Sequence, residues 1–228
     1  MSQPAIRTSR IVHQYRRYLD VSDGVDFFNT INDCYSIDTL VSLLNRGDNE
    51  TRRASALALS MVGDGNVIEA LGRRLCDDDR GVRLMADDAL RAILVRNAAP
   101  AHHQSLLRIM HFNDGAEFAA ALTPAMILTE QAPQYAEAHH QLAVAWLGLS
   151  DYENARLAYT ACLWRCRYHY LAWAGLAECH RSFGDDHSAL NFLNRAVAIC
   201  PDFESARIEA RAIQRSLDRN PPGNEADR

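Results

Sequence analysis

Apolar residues recur along most of the chain at intervals of three and four positions, with polar residues between them. This spacing places the apolar side chains on one face of an α-helix. Helix-breaking stretches such as Gly63-Asp64-Gly65 divide the pattern into short segments. The pattern therefore predicts an all-α protein built from many short helices.

The first half of the chain contains an internal repeat of thirty-one residues. A shift of that length places 37–62 on 68–93, so that Leu40 meets Leu71. Repeats of this size stack side by side and bury a shared core. Each unit is predicted to contain two helices, at about 37–45 and 51–62 and then at about 66–75 and 80–95.

The region 36–98 resembles HEAT-like repeats, in particular the short bacterial variety. The resemblance lies in the motif Asp79-x-x-Val82-Arg83-x-x-Ala86-x-x-Ala89-Leu90 and in a second copy with Asp48, Arg52, Ser55, Ala58 and Leu59. It implies stacked helix pairs in this region. Residues 1–35 are expected to form a helical cap or a degenerate repeat before it.

The second half of the chain has a repeat of thirty-four residues, which places Leu142 on Leu176 and Ala155 on Ala189. This region, 99–202, resembles the tetratricopeptide repeat (TPR). The resemblance is carried by Trp173-x-x-Leu176-Ala177, Gly184-Asp185, Ala189, Ala196 and Pro201. It implies about three TPR-like repeats.

After the repeats, 203–218 is rich in arginine and glutamate and is expected to form the solvating helix that ends such arrays. The composition of 219–228 is typical of a disordered tail. The predicted fold is thus a helical-repeat solenoid, an alpha-alpha superhelix. In it, HEAT-like repeats join about three TPR-like repeats and a C-terminal capping helix.

Composition narrows the functions that such a scaffold can carry. All 24 basic side chains are arginine, which excludes a lysine Schiff base, a pyridoxal phosphate linkage and a phosphate-loop lysine. The net charge of -5 argues against nucleic acid as the partner. The segment 7–19 mixes arginine with tyrosine and could contact RNA, but its apolar face favours packing against the first repeat.

The sequence shows no membrane-spanning or secretory segment. No apolar run approaches the roughly 18 residues that cross a bilayer, and the N-terminus lacks an apolar core before a small-residue cleavage site. We therefore expect no membrane partner, a cytoplasmic location and reduced cysteines.

Three consecutive carboxylates, Asp77-Asp78-Asp79, precede a predicted helix. A calcium loop would space its acidic residues apart and follow them with a glycine and a glutamate. Here Asp79 stands where the helix begins, so it is expected to accept backbone N–H bonds of the first turn. Asp77 and Asp78 are expected to favour the positive end of the helix dipole. The tract therefore predicts a structural role.

Two other groups of residues invite a chemical interpretation. Cys162 and Cys166 lie one helical turn apart and precede His169, which is conceivable as a zinc site. The repeat puts Cys162 at a small-residue position, so burial is the favoured interpretation. Histidines 102–103 and 139–140 are adjacent pairs that point in different directions on a helix. We expect no metal ligand, no cofactor-binding residue and no catalytic residue.

The TPR resemblance implies that the first helix of each pair lines a concave groove. The groove residues that it implies are Glu137, His140, Val144, Leu147, Leu171, Ala174, Glu178 and Arg181. This mixture of apolar and charged side chains suits an amphipathic helix or an extended peptide. The expected function is a non-enzymatic protein–protein interaction scaffold or adaptor with a protein or peptide partner.

The alternative is an enzyme accessory or bilin-lyase-like protein in which the HEAT-like block holds a small molecule. A deep apolar pocket with a few convergent polar groups would favour this alternative, whereas an open groove favours the scaffold. The repeats leave the oligomeric state and the identity of the partner open.

Overall fold

The computed structural model describes residues 9–219, which contain thirteen α-helices and no β-strand. The chain divides into two compact units, unit 1 (Met1–Ile93) and unit 2 (Leu94–Arg228). In each unit, helices that follow one another along the chain pack together. The predicted all-α, helical-repeat fold is therefore confirmed.

Unit 1 begins with two short helices that precede the thirty-one-residue repeat. The first buries Ile11, Val12 and Tyr15 and packs against the fourth helix. The second buries Phe27 and Ile31. The helices of this unit are α1 (Arg10–Val21), α2 (Gly24–Cys34), α3 (Ile37–Arg46), α4 (Asn49–Val62), α5 (Ile68–Gly72) and α6 (Arg80–Arg96), the last of which crosses the boundary to unit 2.

The expected helix at 66–75 is shorter than predicted. Only α5 is α-helical there, and 3₁₀ turns at Gly65–Val67 and Arg73–Cys76 flank it. Asp64 accepts the backbone N–H of Asn66 at 2.9 Å and so fixes the first turn. Glycines at both ends of α5 lower the helix propensity, which accounts for the interruption. The assignment of unit 1 to HEAT-like repeats stays a prediction.

The acidic tract before α6 builds the fold, as expected. Asp79 accepts the Val82 N–H at 2.8 Å and pairs with Arg53 through two bonds of 2.8 and 2.6 Å. The bonds from Arg53, above all, lower the pKa of Asp79 to about 2. Asp77 is buried and pairs with Arg52 at 2.7 Å and with Arg74 at 3.1 Å. These bonds tie the start of α6 to α4.

Unit 2 consists of three helix pairs and a final helix. Its helices are α7 (Pro100–Asp114), α8 (Phe118–Gln131), α9 (Ala136–Gly148), α10 (Tyr152–Arg165), α11 (Tyr170–Ser182), α12 (Asp186–Ile199) and α13 (Glu204–Arg219). Each helix packs on the next, and α9 also contacts α7 and α11. This is the pattern of a stacked helical array.

The turns within the pairs follow the predicted chemistry with one correction. Gly184 has a left-handed φ of 77°, and Asp185 caps α12 by accepting the Ser188 N–H at 3.0 Å. The sequence suggests Ser150 as the cap of α10, but Ser150 has a left-handed φ of 61° and lies one residue too early. Asp151 is the cap and accepts the Asn154 N–H at 3.1 Å. Two oxygen-bearing residues in succession made the sequence pattern ambiguous.

Small residues allow the helices of unit 2 to approach closely. Ala155 and Ala189 are fully buried. A Cβ added to Gly148 would lie 2.3 Å from the ring of Phe118, and one added to Gly175 would lie 2.2 Å from Tyr159. These positions therefore admit no side chain without displacing an aromatic ring.

None of the helices between residues 9 and 219 is both long enough and apolar enough to cross a membrane. The first residues of the arginine- and tyrosine-rich segment, up to residue 8, lie outside the described part of the chain, as do residues 220–228 of the predicted tail.

Candidate functional site

The predicted groove residues lie on α9 and α11, but they differ widely in exposure. Glu137 and His140 are buried, whereas Glu178 and Arg181 are exposed. Arg181 pairs with Glu209 of α13 at 2.5 Å. The other four are half-buried: Val144, Leu147, Leu171 and Ala174. A binding role for these eight residues stays a prediction.

The two buried groove residues belong to an internal polar cluster that joins α9 to the start of α11. His140 Nδ1 lies 3.2 Å from Glu137 Oε1, and His169 Nε2 lies 3.1 Å from Glu137 Oε2. Gln141 Nε2 donates to Glu137 Oε1 at 2.9 Å, and Asn113 of α7 donates to Gln141 Oε1 at 2.8 Å. The cluster therefore connects side chains from all three helix pairs.

The charge state of this cluster follows from its burial and its bonds. Burial alone would raise the pKa of Glu137, but the two histidines and their bonds lower it well below its ordinary value. Burial lowers the pKa of His169. Glu137 is therefore an ionised carboxylate, and it accepts hydrogen bonds from His169 and its neighbours on α9.

The same three side chains must be tested as a metal site. Glu137, His140 and His169 offer ligand atoms within 4.8 Å of one another, and two histidines with a glutamate can bind zinc. His169 Nδ1, however, accepts the Ala172 N–H at 3.2 Å and thereby caps α11. A neutral ring must then carry its proton on Nε2, the atom that faces Glu137.

Coordination through His169 Nε2 would remove that proton and leave the ring without a donor. Metal-binding histidines usually donate a hydrogen bond from their second ring nitrogen, which here accepts one. The geometry therefore suits a hydrogen-bonded triad that positions α11 on α9 better than it suits a metal centre. The predicted absence of a metal stays a prediction.

The sequence contains a signal for this triad that our predictions missed. Glu137 and His140 are three residues apart and thus share a helix face, whereas we compared His140 with its neighbour His139. We also grouped His169 with Cys162 and Cys166, both of which are buried. The structure turns His169 toward Glu137 instead. Only the packing of α9 against α11 reveals that partner.

A second feature of unit 2 is an open cavity of about 520 Å³ between α10, α11 and α12, which we call the aromatic cavity. Trp164 on its rim is 85 % exposed. The described residues that line it are Arg156, Thr160, Leu163, Trp164, Arg167, Trp173, Leu176, His180 and Phe192. Its volume falls in the range of ligand-binding clefts.

Ring contacts hold the floor of the aromatic cavity in place. Trp173 stacks on Phe192 with ring centroids 5.9 Å apart, and His180 lies 4.9 Å from the same ring. The indole N–H of Trp173 donates to the Arg167 carbonyl at 3.0 Å. Arg195 lies over the Trp173 ring at 5.6 Å. The aromatic surface is therefore formed before any ligand arrives.

The aromatic cavity and the predicted groove use different sides of α11. The cavity takes Trp173, Leu176 and His180, which follow one another at three and four positions. The groove residues of this helix, such as Ala174 and Arg181, fall between them on the other side. The sequence pattern assigns Trp173 and Leu176 to the repeat motif alone, because a cavity shared by three helices leaves no local pattern.

Comparison with known proteins gives similarity of fold only. No protein-family model matches the sequence, and no curated protein matches it. The complex of the TPR2AB domain of yeast Sti1 with pHSP90 is similar at 16 % identity over 90 % of this chain and 88 % of that chain, with a TM-score of 0.44.

A thermophilic TPR protein of Thermus thermophilus is similar at 15 % identity over 90 % of this chain and 96 % of that chain, with a TM-score of 0.39. Both solved structures are TPR proteins. Neither likeness identifies a ligand of the present chain.

Proposed function

We propose that the protein is a non-enzymatic interaction scaffold that binds a peptide or helix of a protein partner on unit 2. The observation that carries this proposal is the aromatic cavity with its exposed Trp164. Tryptophan and arginine are the side chains that contribute most to protein–protein binding, and both line this cavity. A large apolar side chain in solvent is otherwise a liability.

The internal chemistry of unit 2 supports a scaffold over an enzyme. Glu137 is occupied by hydrogen bonds to its own neighbours. Burial raises the pKa of the Cys179 thiol to about 12 and that of the Cys162 thiol well above its ordinary value. A thiol held in its protonated form is a poor nucleophile. These groups therefore serve the fold.

The same cavity favours the scaffold over the alternative of a small-molecule handler in the HEAT-like block. That alternative requires a pocket formed by helices of the first repeats, whereas the aromatic cavity is formed by α10, α11 and α12. Its open rim with Trp164 suits a chain segment that extends beyond the cavity.

A random peptide display library, selected on the immobilised full chain, tests this function. We expect enrichment of short peptides that bind the purified protein in solution. Two variants then locate the surface: Trp164→Ala removes the cavity rim, and the double variant Leu147→Arg/Arg181→Glu alters the predicted groove. Circular dichroism must show that each variant is folded, because Leu147 is half-buried. A selection that enriches no peptide would contradict the scaffold.

A further inference from the structure

The aromatic cavity combines apolar rings with positive charge. Arg156 and Arg167 line it, and Arg195 lies over the Trp173 ring. Among the nine described residues that line it, none carries a carboxylate. The chain as a whole has a net charge of -5, so this excess of arginine is a local property of the surface.

The acidic residues beside the cavity do not cancel this charge. Glu153 binds Arg156 through one oxygen, with distances of 3.2 Å to Nε and 2.9 Å to Nη2. A guanidinium carries five donors, and exposed pairs three positions apart contribute little. Asp185 is held by His180 at 3.1 Å and caps α12. An incoming carboxylate can therefore share or replace Glu153.

Positive charge decides which ligands the rings can accept. Aromatic cages otherwise bind quaternary ammonium groups, but two lining arginines would repel a cation. Single-stranded nucleic acid would meet stacking rings and arginine, yet it usually requires a basic groove along its backbone. The charge arrangement here is confined to one cavity in an acidic chain.

The apolar surface also extends beyond the cavity along α10. Leu157 lies seven positions before Trp164, on the same helix face, and it is 56 % exposed. A small molecule would occupy the space between the rings and leave Leu157 uncovered. A peptide can cover both.

We infer that the aromatic cavity binds an acidic peptide segment with one large apolar side chain, which enters between Trp164, Trp173 and Phe192. Flanking carboxylates of the peptide pair with Arg156 and Arg167. This inference rests on the proposed scaffold function and specifies the partner's chemistry. It uses the side of α11 opposite to the predicted groove.

The test uses the full chain, a random peptide display library, and fluorescence polarisation with the enriched peptides. We expect enriched sequences that are acidic around one aromatic or leucine residue. Trp164→Ala should weaken their binding about tenfold or more. Arg156→Glu/Arg167→Glu should weaken it at least as much, and added salt should weaken binding to wild type.

The matched control is Arg80→Glu, which reverses an exposed arginine at the start of α6 in unit 1 and should leave binding unchanged. Basic or uncharged enriched peptides would overturn the inference, as would cavity variants that bind like wild type. If Leu147→Arg/Arg181→Glu alone loses binding, the scaffold stands and the cavity assignment falls. If no peptide is enriched, both fall. Tighter binding of oligouridine RNA, lost in the cavity variants, would replace the peptide with nucleic acid.

Discussion

At the scale of single residues, Asp79 shows how one carboxylate serves several purposes. It caps α6, pairs with Arg53 of α4 and accepts a bond from Asn49 at 3.2 Å. The sequence predicted the cap, because Asp79 stands directly before a helical pattern. It could not predict Arg53 as partner, since that pair depends on the packing of α4 near the start of α6.

We expect Asp79→Ala to lower the free energy of unfolding by about 0.5–2 kcal/mol through the lost cap alone. Asp79→Asn should cost less, because asparagine also caps well. The pKa of Asp79 is lowered from 3.8 to about 2, so its charge contributes stability that is present above 3.8 and lost as pH falls toward 2. The gap between wild type and Asp79→Asn in urea unfolding should therefore shrink over that window. Equal stability of Asp79→Ala and wild type would contradict this role.

His169 should make the stability of the protein depend on pH near neutrality. Burial lowers its pKa below the ordinary 6.5, so the unfolded chain takes up a proton that the folded chain does not. The free energy of unfolding should therefore fall as pH drops below 6.5, by up to about 1.4 kcal/mol per pH unit. His169→Ser, which can still cap α11, should reduce this slope. The exposed His187, replaced in His187→Ser, is the control, and an unchanged slope in His169→Ser would refute the assignment.

At the scale of helices, close approach between neighbours sets the geometry of unit 2. The three-and-four pattern predicted most of the helices, and the thirty-four-residue shift placed Ala155 and Ala189 at buried contacts. It did not predict Gly148 and Gly175, because a glycine in a helix looks only like a weak helix former. Their function is visible in the rings that lie against them.

We expect Gly175→Ala to destabilise the protein by about 1–3 kcal/mol, although alanine is the better helix former. Its Cβ would lie 2.2 Å from the buried ring of Tyr159. Gly24→Ala is the matched control, because a Cβ there meets nothing closer than 4.0 Å. Thermal unfolding of both variants decides: if Gly175→Ala melts at or above the wild-type temperature, α10 and α11 do not pack as described.

At the scale of the whole molecule, the sequence predicted the fold class but not the candidate site. Periodicity is a property of each helix, and it is readable without knowing which helices touch. The aromatic cavity joins Trp164, Trp173 and Phe192 from three helices, and the triad joins Glu137 with His169 across a turn. Such convergence depends on packing, so the local patterns assigned these residues to the repeat or to the groove.

The central claim is that a peptide binds at the aromatic cavity of unit 2, and the three tryptophans report on it directly. Trp164 and Trp173 line the cavity, whereas Trp146 of α9 does not. In ¹⁵N-labelled full-length protein each indole N–H gives its own NMR signal, assigned with single Trp→Phe variants. On titration with a selected peptide, the signals of Trp164 and Trp173 should shift and that of Trp146 should stay. A shift of Trp146 alone, or saturation of the protein with none of the three shifted, would contradict the claim.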